Sequence, residues 1–165
     1  MSFDNCDAVK EPSPSTKIVV LLVSPRKYPQ PIQIGFDYED FSRAVGGIIE
    51  VTFPFEDPVA VVVNHIGKAI GCEPNRALYD KNGKMYDILS GNFIVVGLGE
   101  SDFTSLSPEL MKKYEKRFHN PELFINAGGL MLAVPMSDKD VKKQELKAMN
   151  VSAPKSSPFE ITPKN

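Results

Sequence analysis

Hydrophobic and polar residues are distributed along this chain in patterns that predict a series of short strands. The apolar runs at 17–23, 59–63 and 93–97 are continuous and bounded by turn residues, which predicts strands buried on both faces. Residues 30–36 and 49–53 alternate between apolar and polar, which predicts strands with one face on the core. The pattern therefore places most of the core on a sheet.

Two helices are predicted from the residues at their ends. Asp37 is a suitable N-cap for a helix over 38–45, and Gly46 stands where a left-handed C-terminal residue belongs. Ser107 followed by Pro108 marks the start of a second helix. Because helices and strands do not alternate regularly, we expect an α+β fold with a mixed or mainly antiparallel sheet of about six strands and two short helices.

The segments between these elements give weaker signals. Residues 64–70 are predicted to form a tight turn and a short returning strand, and 71–79 an irregular loop. Residues 125–135 are predicted to supply a last strand, which follows Gly128 and Gly129. Aromatic residues such as Phe53 are expected to face the core.

Composition indicates one domain with flexible termini. We expect a flexible leader at 1–16, a single α+β domain at 17–135 and a charged, proline-rich tail at 136–165. The tail has room for a short helix over 138–149 before disorder.

Several functional classes are disfavoured by charge and motif content. A net charge of −2 argues against a nucleic-acid footprint, and the longest apolar run, at 18–23, is too short to span a bilayer. Cys6 and Cys72 form no CxxC pair and are expected to be free thiols. No nucleophile motif, phosphate loop or signal peptide is recognisable. We expect a cytoplasmic protein with no catalytic residues, no cofactor and no metal site.

The first candidate binding residues are Asn64, Asn75 and Arg76. Asn75 and Arg76 place amide and guanidinium donors side by side in the predicted loop, which suits a carboxylate, a phosphate or a nucleobase edge. Asn64 lies one hairpin away and is expected to face the same direction. The alternative is that Asn75 bonds its own loop and Arg76 pairs with a surface acid such as Glu73 or Asp80. On the binding hypothesis, Arg76→Ala leaves the fold intact and weakens binding.

Glu50 and Asp87 are the second pair of candidates. If they converge in the fold, they can act as an acid/base pair or hold a hard cation. The alternative is that Glu50 lies on the solvent face of its strand and that Asp87 bonds backbone amides in a turn.

Four segments together resemble a known family. The stretches AVGGIIEVTFPFEDPVAVVVN, PNRALYD, YDILSGNFIVVGL and DFTSLSPEL are similar to the bacterial and phage family catalogued as domain of unknown function 3846, over roughly 17–135. His65 and Ile66 stand where that family usually has an acidic pair, and Asn92 follows Gly91 where a proline or small residue is common. The resemblance implies carriage by bacteria, phages and mobile elements, and it transfers no activity.

These observations lead to one main hypothesis and two alternatives. The main hypothesis is a small non-enzymatic binding protein that engages a host protein or a small polar or nucleotide-like ligand. A role in host-defence interference is compatible with the setting that the resemblance implies. The alternatives are a metal-dependent hydrolase of a nucleotide-like substrate that uses Glu50 and Asp87, and a homo-oligomer joined through an exposed edge strand at 32–36.

Overall fold

The computed structural model describes residues 16–152 as ten strands and three helices. The strands are β1 (Lys17–Val23), β2 (Gln30–Gly35), β3 (Ile49–Thr52), β4 (Val59–Asn64), β5 (Pro74–Tyr79), β6 (Met85–Ser90), β7 (Phe93–Leu98), β8 (Phe103–Thr104), β9 (Glu122–Ala127) and β10 (Leu130–Pro135). The helices are α1 (Tyr38–Val45), α2 (Pro108–Arg117) and α3 (Asp138–Ser152). The predicted α+β class is confirmed, while the predicted leader and the disordered end of the tail lie outside the described residues.

Six strands form one antiparallel sheet with β7 at its centre. The order is β2-β1-β7-β4-β3, and the short strand β8 pairs with the end of β7. Val95 of β7 is opposite Leu21 of β1 on one side and Val61 of β4 on the other. The three continuous apolar runs of the sequence are therefore the three interior strands, as strands buried on both faces should be.

The two faces of this sheet are covered by different elements. Helix α1 packs on one face through the buried residues Phe41 and Val45. The β5–β6 hairpin and α2 pack on the other face through Leu78, Leu89 and Tyr114. The domain thus has three layers with a hydrophobic core on each side of the sheet.

The predicted helix boundaries are confirmed. Gly46 has a left-handed backbone with φ of 81°, and its amide donates to the carbonyl of Ser42 at 2.8 Å. The hydroxyl of Ser107 accepts from the amide of Leu110 at 3.2 Å, which caps α2. Asp37 has the extended backbone of an N-cap, but its side chain makes no capping hydrogen bond.

The prediction for residues 68–79 is wrong. Residues 68–70 belong to a series of tight turns, in which the amide of Ile70 donates to the carbonyl of Ile66 at 3.0 Å, and they form no strand. The segment predicted as an irregular loop contains β5, which starts at Pro74 and pairs with β6. The adjacent polar residues Asn75 and Arg76 interrupt the apolar pattern by which a buried strand is normally recognised.

The predicted last strand after Gly128 and Gly129 is confirmed as β10, whereas its partner β9 was not predicted. Gly128 and Gly129 have φ values of 61° and 87° and form a two-residue turn between β9 and β10. One face of this hairpin carries only apolar side chains, five of which are 39–64% exposed: Leu123, Ile125, Leu130, Leu132 and Val134.

The expectation that Phe53 faces the core is wrong, because its side chain is 61% exposed. It follows the last paired residue of β3, which is an edge strand, so no neighbouring strand covers it. No helix within residues 16–152 is long and apolar enough to cross a membrane.

Candidate functional site

The structure separates the five candidate residues into two groups. Glu50, Asn64 and Asp87 line one surface cleft between β3, the end of β4 and β6. Asn75 and Arg76 are fully buried in β5 and contribute nothing to that cleft. The expectation that Asn64, Asn75 and Arg76 face one common direction is therefore wrong.

The side chain of Arg76 is committed to the protein interior. Its Nε and Nη2 donate to the carbonyl of Phe118 at 3.1 and 2.9 Å, and Nη2 also donates to the carbonyl of Lys27 at 2.8 Å. Its Nη1 donates to the carbonyl and the Oδ1 of Asn75 at 3.2 and 2.7 Å. These five bonds match the five N–H donors of a guanidinium, so Arg76 has none left for a ligand.

Asn75 completes this network. Its Nδ2 donates to the carbonyl of Val23 at 2.9 Å and to that of Gly91 at 2.8 Å, while its Oδ1 accepts from Arg76. The pair therefore ties β5 to the end of β1 and to the turn before β7. The polar side-chain atoms of Asn75 and Arg76 all have partners, so the network holds the hairpin on the sheet, while Oε2 of the neighbouring Glu122 is buried without a hydrogen bond.

Glu122, at the start of β9, interacts with the charge of Arg76. Burial lowers the pKa of Arg76 to about 10, and Glu122 opposes that shift through its charge. Burial raises the pKa of Glu122, whereas a backbone hydrogen bond from Ala77 and the charge of Arg76 act in the other direction. The expected partner Glu73 instead forms an ion pair with Arg26.

Asn64 supports the floor of the cleft. It is buried, its Oδ1 accepts from the amide of Ile66 at 3.1 Å, and its Nδ2 donates to the carbonyl of Gly46 at 3.3 Å. A Cβ on Gly47 would lie 2.9 Å from this amide nitrogen, so glycine is needed there for the close approach. Asn64 thus fixes the path of the turn that carries the residues next in the chain.

The cleft itself has a volume of about 300 Å³. Glu50 and Thr52 enter it from β3, His65 and Lys68 from the turns after β4, and Asp87 from β6. We call it the charged cleft. Its walls come from both the six-stranded sheet and the β5–β6 hairpin, so it exists only because the hairpin packs on that sheet.

The four ionisable side chains of the charged cleft form two pairs. His65 Nδ1 lies 3.1 Å from Glu50 Oε2, and Lys68 Nζ forms an ion pair with Asp87 Oδ1. The four side chains are 41–61% exposed. Exposed ion pairs of this kind contribute only about 0–1 kcal/mol each to the stability of the fold. A charged ligand can therefore replace one member of a pair at a small cost in free energy.

His65 and Lys68 were not among the candidates chosen from the sequence. Glu50 and His65 meet because β3 and β4 are neighbours, with Ile49 opposite Asn64. That proximity can be inferred from a hairpin prediction that joins the two strands. Lys68 and Asp87 meet only through the packing of the β5–β6 hairpin, for which the sequence contains no local signal.

Comparison with known proteins identifies a family but no characterised relative. No curated protein and no solved structure matches the chain. The family model described as a domain of unknown function (DUF3846) matches residues 16–119, which include β1 to α2 and the whole charged cleft. The match ends before β9, so it is shorter than the range of 17–135 expected from the resemblance. The chain therefore belongs to the DUF3846 family.

Proposed function

We propose that this chain is a non-enzymatic binding protein whose charged cleft takes a small polar ligand. The observation that carries the proposal is the convergence of Glu50, His65, Lys68 and Asp87, from three separate segments, in one cavity of about 300 Å³. Ligand cavities in proteins usually measure about 300–1,000 Å³ and contain a few polar groups that fix orientation. The charged cleft meets both criteria at the small end of that range.

The charge balance of the cleft favours some polar ligands over others. It contains two carboxylates, one ammonium group and one imidazole. A phosphate group bound to Lys68 would also face Glu50 and Asp87, and like charges inside one cavity repel. We therefore favour a ligand with a positive group, or with groups of both signs, over the nucleotide-like ligand that the sequence left open.

The metal-dependent hydrolase is less well supported than binding. Glu50 and Asp87 do line the same cleft, as that alternative requires. However, each carboxylate is already paired with a basic side chain. Within residues 16–152, no group of three or more His, Cys, Asp and Glu side chains is arranged to hold a metal ion. Binding without catalysis is thus the simpler use of these residues.

Four expectations stay hypotheses: carriage by phages or mobile elements, engagement of a host protein, interference with host defence and a cytoplasmic location. They rest on the family resemblance and on composition rather than on the cleft. Identifying the bound molecule tests the interference role. A ligand that belongs to a host signalling or defence system would support that role. A ligand unrelated to any such system would count against it.

Native mass spectrometry of the protein purified from its host tests the proposal. We expect a small-molecule adduct that disappears in the double variant Glu50→Gln, Asp87→Asn. The amide at position 87 keeps the oxygen that accepts from the amide of Ile88 at 2.8 Å, so β6 stays intact.

The control is the double variant Glu56→Gln, Asp102→Asn, which neutralises two exposed acids outside the cleft. It should retain the adduct at the wild-type level. A wild-type spectrum without any adduct, or an adduct that survives the loss of Glu50 and Asp87, would contradict the proposed function.

A further inference from the structure

A second cavity continues the charged cleft along strand β6. It measures about 390 Å³ and shares Lys68, Asp87, Ile88 and Ser90 with the first cavity. The two cavities are therefore adjacent, and the Lys68–Asp87 ion pair lines both of them; we call the two together the groove.

The chemistry of the second cavity differs from that of the first. Apart from the shared residues it is lined by Pro74, Met85 and Tyr86, and none of these side chains carries a charge. Tyr86 is 55% exposed although its ring is large and mostly apolar. Tyrosine rings and methionine side chains are favourable contacts for an aromatic group, which stacks on the first and packs against the sulfur of the second.

We propose that the ligand is an aromatic zwitterion whose charged end lies in the charged cleft and whose ring lies in the second cavity. This inference rests on the proposed function and specifies the ligand class. The ammonium group of such a ligand replaces Lys68 as the partner of Asp87, and its carboxylate becomes the new partner of Lys68. Both charges of the existing ion pair are thus kept in pairs when the ligand binds.

The second cavity supplies a contribution to affinity that the first cavity lacks. The first cavity is at the lower limit of usual ligand sites, and its exposed ion pairs offer little net affinity. Burial of a ring against the exposed ring of Tyr86 adds the hydrophobic contribution that the charged cleft lacks. An α-amino acid with an aromatic side chain combines the charged groups and the ring that the two cavities accept.

The test is a titration of the ¹⁵N-labelled full chain with four probes, followed by NMR chemical shifts of the groove residues. L-Phenylalanine carries the ring, the ammonium group and the carboxylate. Each of the other probes lacks one of these: L-alanine the ring, phenethylamine the carboxylate and 3-phenylpropionate the ammonium group. We expect L-phenylalanine to bind at least tenfold more tightly than each of the other three.

Two variants assign the groups to their places. Tyr86→Ala should reduce the affinity for L-phenylalanine to that for L-alanine and leave the affinity for L-alanine unchanged. Lys68→Met should reduce the affinity for L-phenylalanine to that for phenethylamine. It should not reduce the affinity for phenethylamine. The control Tyr79→Ala removes an exposed tyrosine of the neighbouring strand β5 that lines neither cavity, so it should bind like wild type.

The outcomes separate this inference from the proposed function. Suppose that the native mass spectrum shows an adduct that depends on Glu50 and Asp87, but that L-phenylalanine and L-alanine bind with equal affinity. This result would overturn the aromatic subsite and support the binding function. If the Tyr86→Ala variant still binds L-phenylalanine more tightly than L-alanine, the placement of the ring against Tyr86 is wrong. Absence of binding by all four probes overturns the ligand class, whereas absence of the native adduct overturns the function itself.

Discussion

Replacing Arg76 by methionine is the sharpest test of the buried network. Methionine fills a similar elongated volume in the core but donates no hydrogen bond. The substitution therefore leaves three buried acceptors, the carbonyl of Phe118 and the carbonyl and Oδ1 of Asn75, without the donor they have in the wild-type protein. The carbonyl of Lys27, which is only partly buried, loses its donor as well. We expect Arg76→Met to destabilise the folded state, not to change the surface.

The size of the effect follows from two opposing contributions. Each buried acceptor left without a donor costs about 1–3 kcal/mol, so three of them cost about 3–9 kcal/mol. Removing a buried guanidinium also removes its desolvation penalty, which is several kcal/mol for an ion in a protein interior. The net loss should be about 3 kcal/mol, a large part of the ~5–15 kcal/mol that stabilises a typical domain.

Urea denaturation followed by circular dichroism measures this loss directly, as a lower midpoint with an unchanged slope. Thermal unfolding should show a decrease in Tm of about 6–12 °C, since 1 kcal/mol corresponds to about 2–4 °C for a chain of this length. The matched control is Arg43→Met, in an arginine whose side chain is 78% exposed and lies 3.7 Å from Asp40. It should change stability by less than about 0.5 kcal/mol.

Equal stability of Arg76→Met and Arg43→Met would refute the reasoning, because it would mean that the five hydrogen bonds contribute nothing net. The measured stability also shows whether Arg76 is a surface residue or a buried one. From the sequence, loss of the Arg76 side chain was expected to leave the fold intact; from the structure, it should cost more stability than most single substitutions.

Two further predictions concern the sheet and the pH dependence of stability. A Cβ on Gly97 would lie 2.7 Å from the carbonyl oxygen of Ser105, so Gly97→Ala should destabilise the protein by about 1–3 kcal/mol in urea, and a neutral result would mean that the β7–β8 junction can shift. Hydrogen bonds from Lys113 and Tyr114 hold the pKa of Asp57 below its ordinary value, so its contribution to stability is present above the unfolded pKa and is lost as the pH falls through the folded pKa. Asp57→Asn should therefore make the acid-side loss of stability shallower, and an unchanged pH profile would show that these bonds do not stabilise the carboxylate.

The parts of the fold that were predictable are those with local causes. Strands β1, β4 and β7 are continuous apolar runs, and a run of that kind is stable only when both faces are covered. The ends of α1 and α2 are marked by Gly46 and Ser107, whose backbone and side-chain preferences act within one turn of the helix.

The parts that were not predictable depend on residues distant in the sequence. Arg76 resembles a surface residue until the carbonyls of Lys27 and Phe118 are known to surround it. The charged cleft has the same origin: sequence placed Glu50 and Asp87 among the candidates, but their common cavity requires the β5–β6 hairpin to lie against the sheet. No hydrophobic pattern contains that information.

The central position of β7 has a consequence for the order in which the molecule is assembled during synthesis. Strands β1 and β2 pair with each other, as do β3 and β4, and each pair precedes β7 in the chain. The two pairs have no direct contact as strands until β7 is inserted between β1 and β4. At a translation rate of about 5–20 residues per second, β7 is synthesised a few seconds after β4, so the edges of β1 and β4 that face β7 lack their partner strand during that time. β7 thus completes the sheet by joining two strand pairs that are made before it.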